Sequence, residues 1–155
     1  MTKYDVNKIK AQFPALNRTV WDKPLVYLDS AASMQKPQRV LDAINKNYSF
    51  NYSNVHRGLH KLSEEATSNY EGARRKIANF INCNEKEVIF TSGATAAINL
   101  IAYSWGLKNL SPGDEIIITI AEHHANIVPW QIIAEQKDVK IIAAKINPNE
   151  DFDAE

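Results

Sequence analysis

Two histidines stand side by side in "AEHHANIVPW" (121–130), His123 and His124, directly after an apolar run. Adjacent side chains leave an extended backbone in opposite directions, so the pair is badly placed to grip one ion. The other two histidines, His56 and His60, lie in "HRGLH", which lacks the glutamate of a zinc-binding H-E-x-x-H helix. A zinc centre needs three or four protein ligands; a metal hydrolase assembled from His56, His60, His123 and His124 is the alternative reading of a different class. A second candidate is "TSGATAAIN" (91–99). Gly93 allows a tight turn, and the amides of Ala94 and Thr95 with the Thr95 hydroxyl could donate to phosphate oxygens at a helix N-terminus. Such turns occur throughout α/β proteins, so the local pattern permits phosphate binding without requiring it. No Gly-Lys-Ser/Thr follows and no G-x-G-x-x-G is present, which disfavours a Walker loop and a dinucleotide site.

Two further residues invite chemistry and are better read blandly. Lys61 sits in a polar segment just before a helix, so it reads as a solvated lysine rather than a Schiff-base former. Cys83, in "INCNEKE", falls in a helix-to-strand connection on the rim expected to lie opposite Gly93 and His123.

The elements that must position these residues follow from periodicity. "LVYLDSAAS" (25–33) reads as a brief strand running into small residues. Behind Pro37, Val40, Leu41, Ile44 and Tyr48 have helical spacing. "NYSNVHRGLHKLS" (51–63) reads as an ordered loop. Ser63 is the expected N-cap of a helix with Ala66, Tyr70, Ala73, Ile77 and Phe80 as its apolar stripe, acid early and base late. From 87 onward the pattern is strand ("EVIFTSG"), helix ("ATAAINLIAYSWG", with Ile98, Ile101 and Trp105 on one side and Gly106 at the stop), strand ("PGDEIIITI"), helix ("NIVPWQIIAEQKD") and strand ("VKIIAAKI"). Three strands apolar on both faces, alternating with helices, describe a parallel sheet covered by helices. The histidine pair ends the middle strand and so opens onto the same rim as Gly93. A structural cap on the following helix suits His124 better than His123.

Bulk properties narrow the class. The 155 residues suit one ordinary domain, and 45% hydrophobic with 23% charged residues are globular values. Lys plus Arg and Asp plus Glu both number 18, so charge recommends neither nucleic acid nor an anionic membrane. One cysteine rules out an internal disulfide framework and fits a reducing cytoplasm. The charged start "MTKYDVNKIKAQF" does not resemble a secretory signal, and no run approaches the ~20 apolar residues of a membrane span. The sequence ends at "NPNEDFDAE" after the third strand, so it is expected to be the front part of a longer enzyme.

"YLDSAAS", "NVHRGLHKLSEEAT", "EVIFTSGATAAINLIA" and "EHHANIVPWQ" have the order and spacing of class V pyridoxal-phosphate (PLP) enzymes. The chain most resembles cysteine desulfurases of the SufS/Csd type, which share much with selenocysteine lyases; "TSGAT" is shared more widely, with class V aminotransferases and NifS/IscS-type desulfurases. The resemblance implies the front part of a fold type I large domain, with an N-terminal arm and active-site loops over 1–62 and the first part of the PLP-binding α/β domain over 63–155. It implies that Gly93, Ala94 and Thr95 hold the cofactor phosphate and that His123 covers the pyridine ring and moves a proton. Asp29, Ala31 and Ala32 would surround the site, and His56 and Arg57 would lie near the partner subunit's site of a homodimer. The implied activity is conversion of L-cysteine, or L-selenocysteine, to L-alanine. The sulfur would pass through an enzyme persulfide to an acceptor protein for iron-sulfur cluster or other sulfur delivery.

Two departures stand out. Related desulfurases often carry Thr at position 94 and Glu at 96, where this chain has alanine. An amide donates to phosphate whatever its side chain, whereas Ala96 removes any ion pair made there. The family's cofactor-binding lysine, pyridine-nitrogen acid, nucleophilic cysteine and carboxylate-binding arginine match nothing in 1–155, so the chain alone is expected to be inactive.

Overall fold

The computed structural model describes residues 4–145, which divide after Val88 into two compact units. In the first, α1 (Val6–Lys10) is capped by the Asp5 carboxylate, which accepts from the Lys8 amide at 3.0 Å. A small antiparallel hairpin follows, β1 (Thr19–Val20) and β2 (Lys23–Pro24), turning through Trp21 and Asp22 at positive φ. Its turn lacks the Asn-Gly or Asp-Gly signature of two-residue hairpins, which is why sequence gave no warning of it. The strand expected over 25–33 does not form. Residues 25–29 carry no regular secondary structure, with Leu28 90% exposed, and Tyr27 Oη instead donates to the carbonyls of Asp29 and Ser33.

Helix α2 (Gln38–Lys46) starts directly behind Pro37, as its spacing predicts, and widens into a π turn at Asn47–Asn51. Helix α3 (Lys61–Ile81) is the longest element, and it corrects two expectations. Its N-cap is His60, not Ser63; Lys61 is already helical, and Ser63 lies buried one turn in. The expected stripe is also misplaced. Ala66 is buried, but Ala78 takes the other core position, while Ala73 and Ile77 are exposed and Phe80 is 88% exposed. The helix ends at Asn82 in the left-handed conformation, whose amide and that of Cys83 donate to Ala78.

The run expected as a strand over 87–93 begins inside a short 3-10 turn, Glu85–Glu87, and residues 88–91 form no strand among the described residues. An apolar β-prone run reports extension; only a neighbouring ladder makes it a strand. Helix α4 (Ala94–Ile101) passes through a π turn at Ala102–Gly106 into α5 (Leu107–Asn109), so the helix does not stop at Gly106. Ala102 and Gly106 face inward instead of the expected Ile101 and Trp105, which are about half exposed. A Cβ added to Gly106 would stand 3.5–3.6 Å from Trp130, Ile133 and Leu110, which shows how closely this turn approaches its neighbours.

Strand β3 (Glu115–Thr119), entered through Gly113 at φ 91°, pairs in parallel with β4 (Lys140–Ala144), with Ile116 opposite Ile141 and Ile118 opposite Ala143. Helix α6 (Val128–Lys137) makes the crossover, with Pro129 in its first turn, where a missing amide costs nothing. The core consists of Ala102, Leu110, Ile133, Ala134 and Val139, flanked by Leu107, Ile116, Trp130 and Ile141. Alternation puts Ile117 and Ile142 on the other face of the pair, where they are exposed. Two of the three expected parallel strands are thus present, and helix covers one face of the described pair. No helix among the described residues is long and apolar enough to cross a membrane.

Candidate functional site

Three local structures carry the residues singled out by sequence. The first is the turn before α4. Gly93 is its N-cap at φ 157°, ψ 177°, a backbone conformation essentially confined to glycine. The Thr91 hydroxyl donates to the Gly93 carbonyl at 3.0 Å and fixes the turn. The first amide seen to bond back into the helix is that of Ala97, to Gly93. No side chain caps this end, so the amides of Ala94 and Thr95 point along the axis at its partial positive charge. All of 91–95 is exposed, and a Cβ added to Gly93 would meet nothing within 4 Å.

The second is the turn after β3. Thr119 closes the strand, and Glu122 accepts from the Thr119 hydroxyl at 3.1 Å and from Asn126 Nδ2 at 2.9 Å. Asn126 in turn accepts from Trp130 Nε1 at 3.0 Å. The amide of Asn126, first, and the hydroxyl of Thr119 hold the Glu122 carboxyl below the ordinary carboxylate range. Within this frame His123 is extended and caps a single 3-10 turn, His124–Asn126, its Nδ1 accepting the Ala125 amide at 3.1 Å. The cap expected of His124 therefore belongs to His123. His124 already lies inside the turn, where its side chain cannot reach back to the turn's first amides. The two rings sit edge to face, centroids 6.4 Å apart. Helix α4 packs against this 3-10 turn, which brings the element begun by Gly93 and the histidine turn together within one unit.

The third structure is the loop before α3. His56 has a left-handed backbone, φ 66°, stabilised by its amide donating to Thr67 Oγ1 at 2.9 Å. Its Nε2 lies 2.9 Å from Glu71 Oε1, and the other Glu71 oxygen accepts from Arg74 Nε at 3.0 Å. Arg74 also donates to the Val88 carbonyl and covers the Tyr70 ring. Ser63 ties the loop to the helix: Oγ accepts from the Gly58 amide at 2.9 Å and donates to the Asn54 carbonyl at 2.6 Å. Gly58 is required there, because a Cβ would come within 2.6 Å of Ser63 Cβ. Arg57 is exposed, as are Asp29, Ala31 and Ala32 in their turn, where the Asp29 carbonyl accepts the Ser33 amide.

Sequence reading missed Ser63 as a buried tie, the Glu71–Arg74 pair and the Glu122–Asn126–Trp130 chain. The last has a signal, since 122, 126 and 130 are spaced by four. The first has none, because a serine ahead of two acids looks like a cap. Among the described residues no three His, Cys, Asp or Glu side chains converge as metal ligands. Cys83 is half-buried, its Sγ 3.5 Å from the Asn84 carbonyl, beside a cleft that also carries Arg74, Glu85 and Lys86.

The chain is 51% identical over 149 residues to a probable cysteine desulfurase of Vibrio cholerae, covering 96% of itself and 37% of that protein. It superposes on the apo cysteine desulfurase of Thermococcus onnurineus with a TM-score of 0.86 at 30% identity, covering 99% of this chain and 37% of that one. The cysteine desulfurase CsdA of Escherichia coli gives 0.74 at 40% identity, covering 94% and 35%. The chain thus spans little more than a third of the length of the relatives it matches. Since the aminotransferase class-V family matches residues 26–155, the greater part of the sequence, the chain belongs to that family.

Proposed function

We propose that the chain supplies the phosphate cradle and the ring-covering imidazole of a PLP-dependent cysteine desulfurase. The observation that carries this reading is the packing of α4, uncapped at Gly93, against the turn that His123 caps. The residues present fit the group. The extended glycine leaves room where a side chain would stand, and the α4 N-terminus offers amides and positive potential to a phosphate. An imidazole fixed at one nitrogen offers a flat, exposed ring to an aromatic cofactor.

In this scheme Gly93, Ala94 and Thr95 bind and orient the phosphate, which fixes the plane of whatever is attached to it. His123 covers one face, excludes water there and exchanges a proton at its second ring nitrogen. Bound PLP supplies an electron sink for bonds at the substrate Cα. In the net reaction the C–S bond of L-cysteine breaks, its sulfur forms an S–S bond with a protein thiolate, and a proton takes its place on Cβ, giving L-alanine. L-selenocysteine is the alternative substrate. The Asp29–Ala32 turn and the His56–Arg57 loop belong to the site's surround, the latter facing a second copy in a homodimer. The persulfide sulfur goes to an acceptor protein in the cytoplasm, with iron-sulfur cluster assembly as the destination.

The test is a chimera in which this segment replaces its counterpart in the Vibrio cholerae relative. With a dithiol reductant present to cleave the persulfide, the chimera is expected to release alanine and sulfide from L-cysteine, and His123→Ala within it to lower the rate about 100-fold or more, the usual contribution of a positioned acid–base group. An H123A chimera as active as its parent would refute the role given to His123.

A further inference from the structure

We infer that Glu122 is a positioning residue that locks His123 into one tautomer, with Nδ1 occupied by backbone and Nε2 carrying the exposed ring proton. A neutral imidazole has one donor and one acceptor nitrogen, and the identity of each is set by the hydrogen bond the other makes. The Ala125 amide can only donate, so at 3.1 Å it makes His123 Nδ1 the acceptor and leaves the hydrogen on Nε2. That bond exists only while the backbone from Glu122 to Asn126 keeps its tight turn, closed by the Asn126 amide donating to the His123 carbonyl at 2.7 Å.

Glu122 holds both ends of that turn. One carboxylate oxygen takes the Thr119 hydroxyl from the end of β3, and the other takes Asn126 Nδ2 from the far side of the histidines. Asn126 cannot swing away, because its carbonyl oxygen accepts the Trp130 indole from the first turn of α6. Strand end, histidine turn and helix start are therefore clamped by one side chain lying next to His123 in sequence and touching neither of its ring nitrogens. Glutamine can replace it with the geometry kept, since its oxygen can accept from Asn126 while its amide donates to the Thr119 hydroxyl; alanine cannot.

The consequence for catalysis rests on the proposed desulfurase reading, but the tautomer does not, so the two fail separately. The measurement is ring 15N NMR of His123 in the 155-residue chain, assigned by comparison with His123→Gln. Wild type is expected to show an unprotonated Nδ1 and a protonated Nε2. Glu122→Ala should move Nδ1 toward the value averaged between tautomers, and Glu122→Gln should restore the wild-type pattern. Thr119→Val, which removes one donor and keeps the side-chain volume, should give a smaller shift in the same direction, and it decides the matter if Glu122→Ala does not fold. An unchanged His123 spectrum in folded Glu122→Ala, or in Thr119→Val where that variant decides, would overturn the inference. So would a wild-type spectrum already averaged between tautomers.

Discussion

The amide of Ala125 chooses which nitrogen of His123 meets a ligand, and the carboxylate of Glu122 keeps that amide in place. Because hydrogen bonds hold the Glu122 carboxyl below the ordinary range, its contribution to stability is complete above that range and is lost as pH falls through the lowered value. The difference in urea midpoint between wild type and Glu122→Gln should be largest near neutrality and close on acidification. Ser63 has a different weight. Ser63 is 1% exposed, and its hydroxyl bonds two backbone groups, the amide of half-buried Gly58 and the carbonyl of Asn54, so Ser63→Ala removes both bonds at once. A loss of about 1–3 kcal/mol is expected in chemical denaturation, whereas a surface serine would show almost none.

At the scale of elements, the second unit depends on α6. Ile133 is fully buried beneath Ala102, Leu110 and Val139, so Ile133→Ala removes the centre of a small core. Destabilisation of about 2–5 kcal/mol is expected, with urea unfolding as the readout. The turn into α4 is sensitive for another reason. Gly93 has space for a methyl group but not the backbone freedom, so Gly93→Ala should cost about 1–3 kcal/mol through strain alone. If the strain is relieved by rotating the turn, PLP binding should weaken while pyridoxal, which lacks the phosphate, loses nothing further. Equal weakening of both ligands would remove the phosphate role from this turn.

At the scale of the whole molecule, the chain spans little more than a third of the length of the relatives it matches. Mixed with PLP and L-cysteine, the purified 155-residue chain is expected to release no sulfide and to show no visible band of a lysine-bound cofactor. Elemental analysis should find zinc well below one ion per chain, as the histidine geometry requires. Stoichiometric, tightly held zinc would reinstate the hydrolase reading.

The sequence alone determined α3, β3, α6 and β4, the glycine turn at 93 and the placing of His123 at a strand end. Each of these follows from local properties: side-chain period, a proline in a first turn, a conformation open only to glycine. Tertiary structure decided the rest. Residues 25–29 and 88–91 have strand-like composition yet form no strand, because pairing needs a neighbour that periodicity does not name. The stripe of α3 was legible as amphipathic, but which of its residues are covered depends on what packs there, and Ala78 rather than Phe80 is covered. Ser63 looked like a cap and is a buried tie, and His124 looked like the cap where His123 is one. In both cases the helical turn starts earlier than expected, and the earlier side chain, His60 or His123, accepts the capping amide, a choice of start that side-chain period does not report.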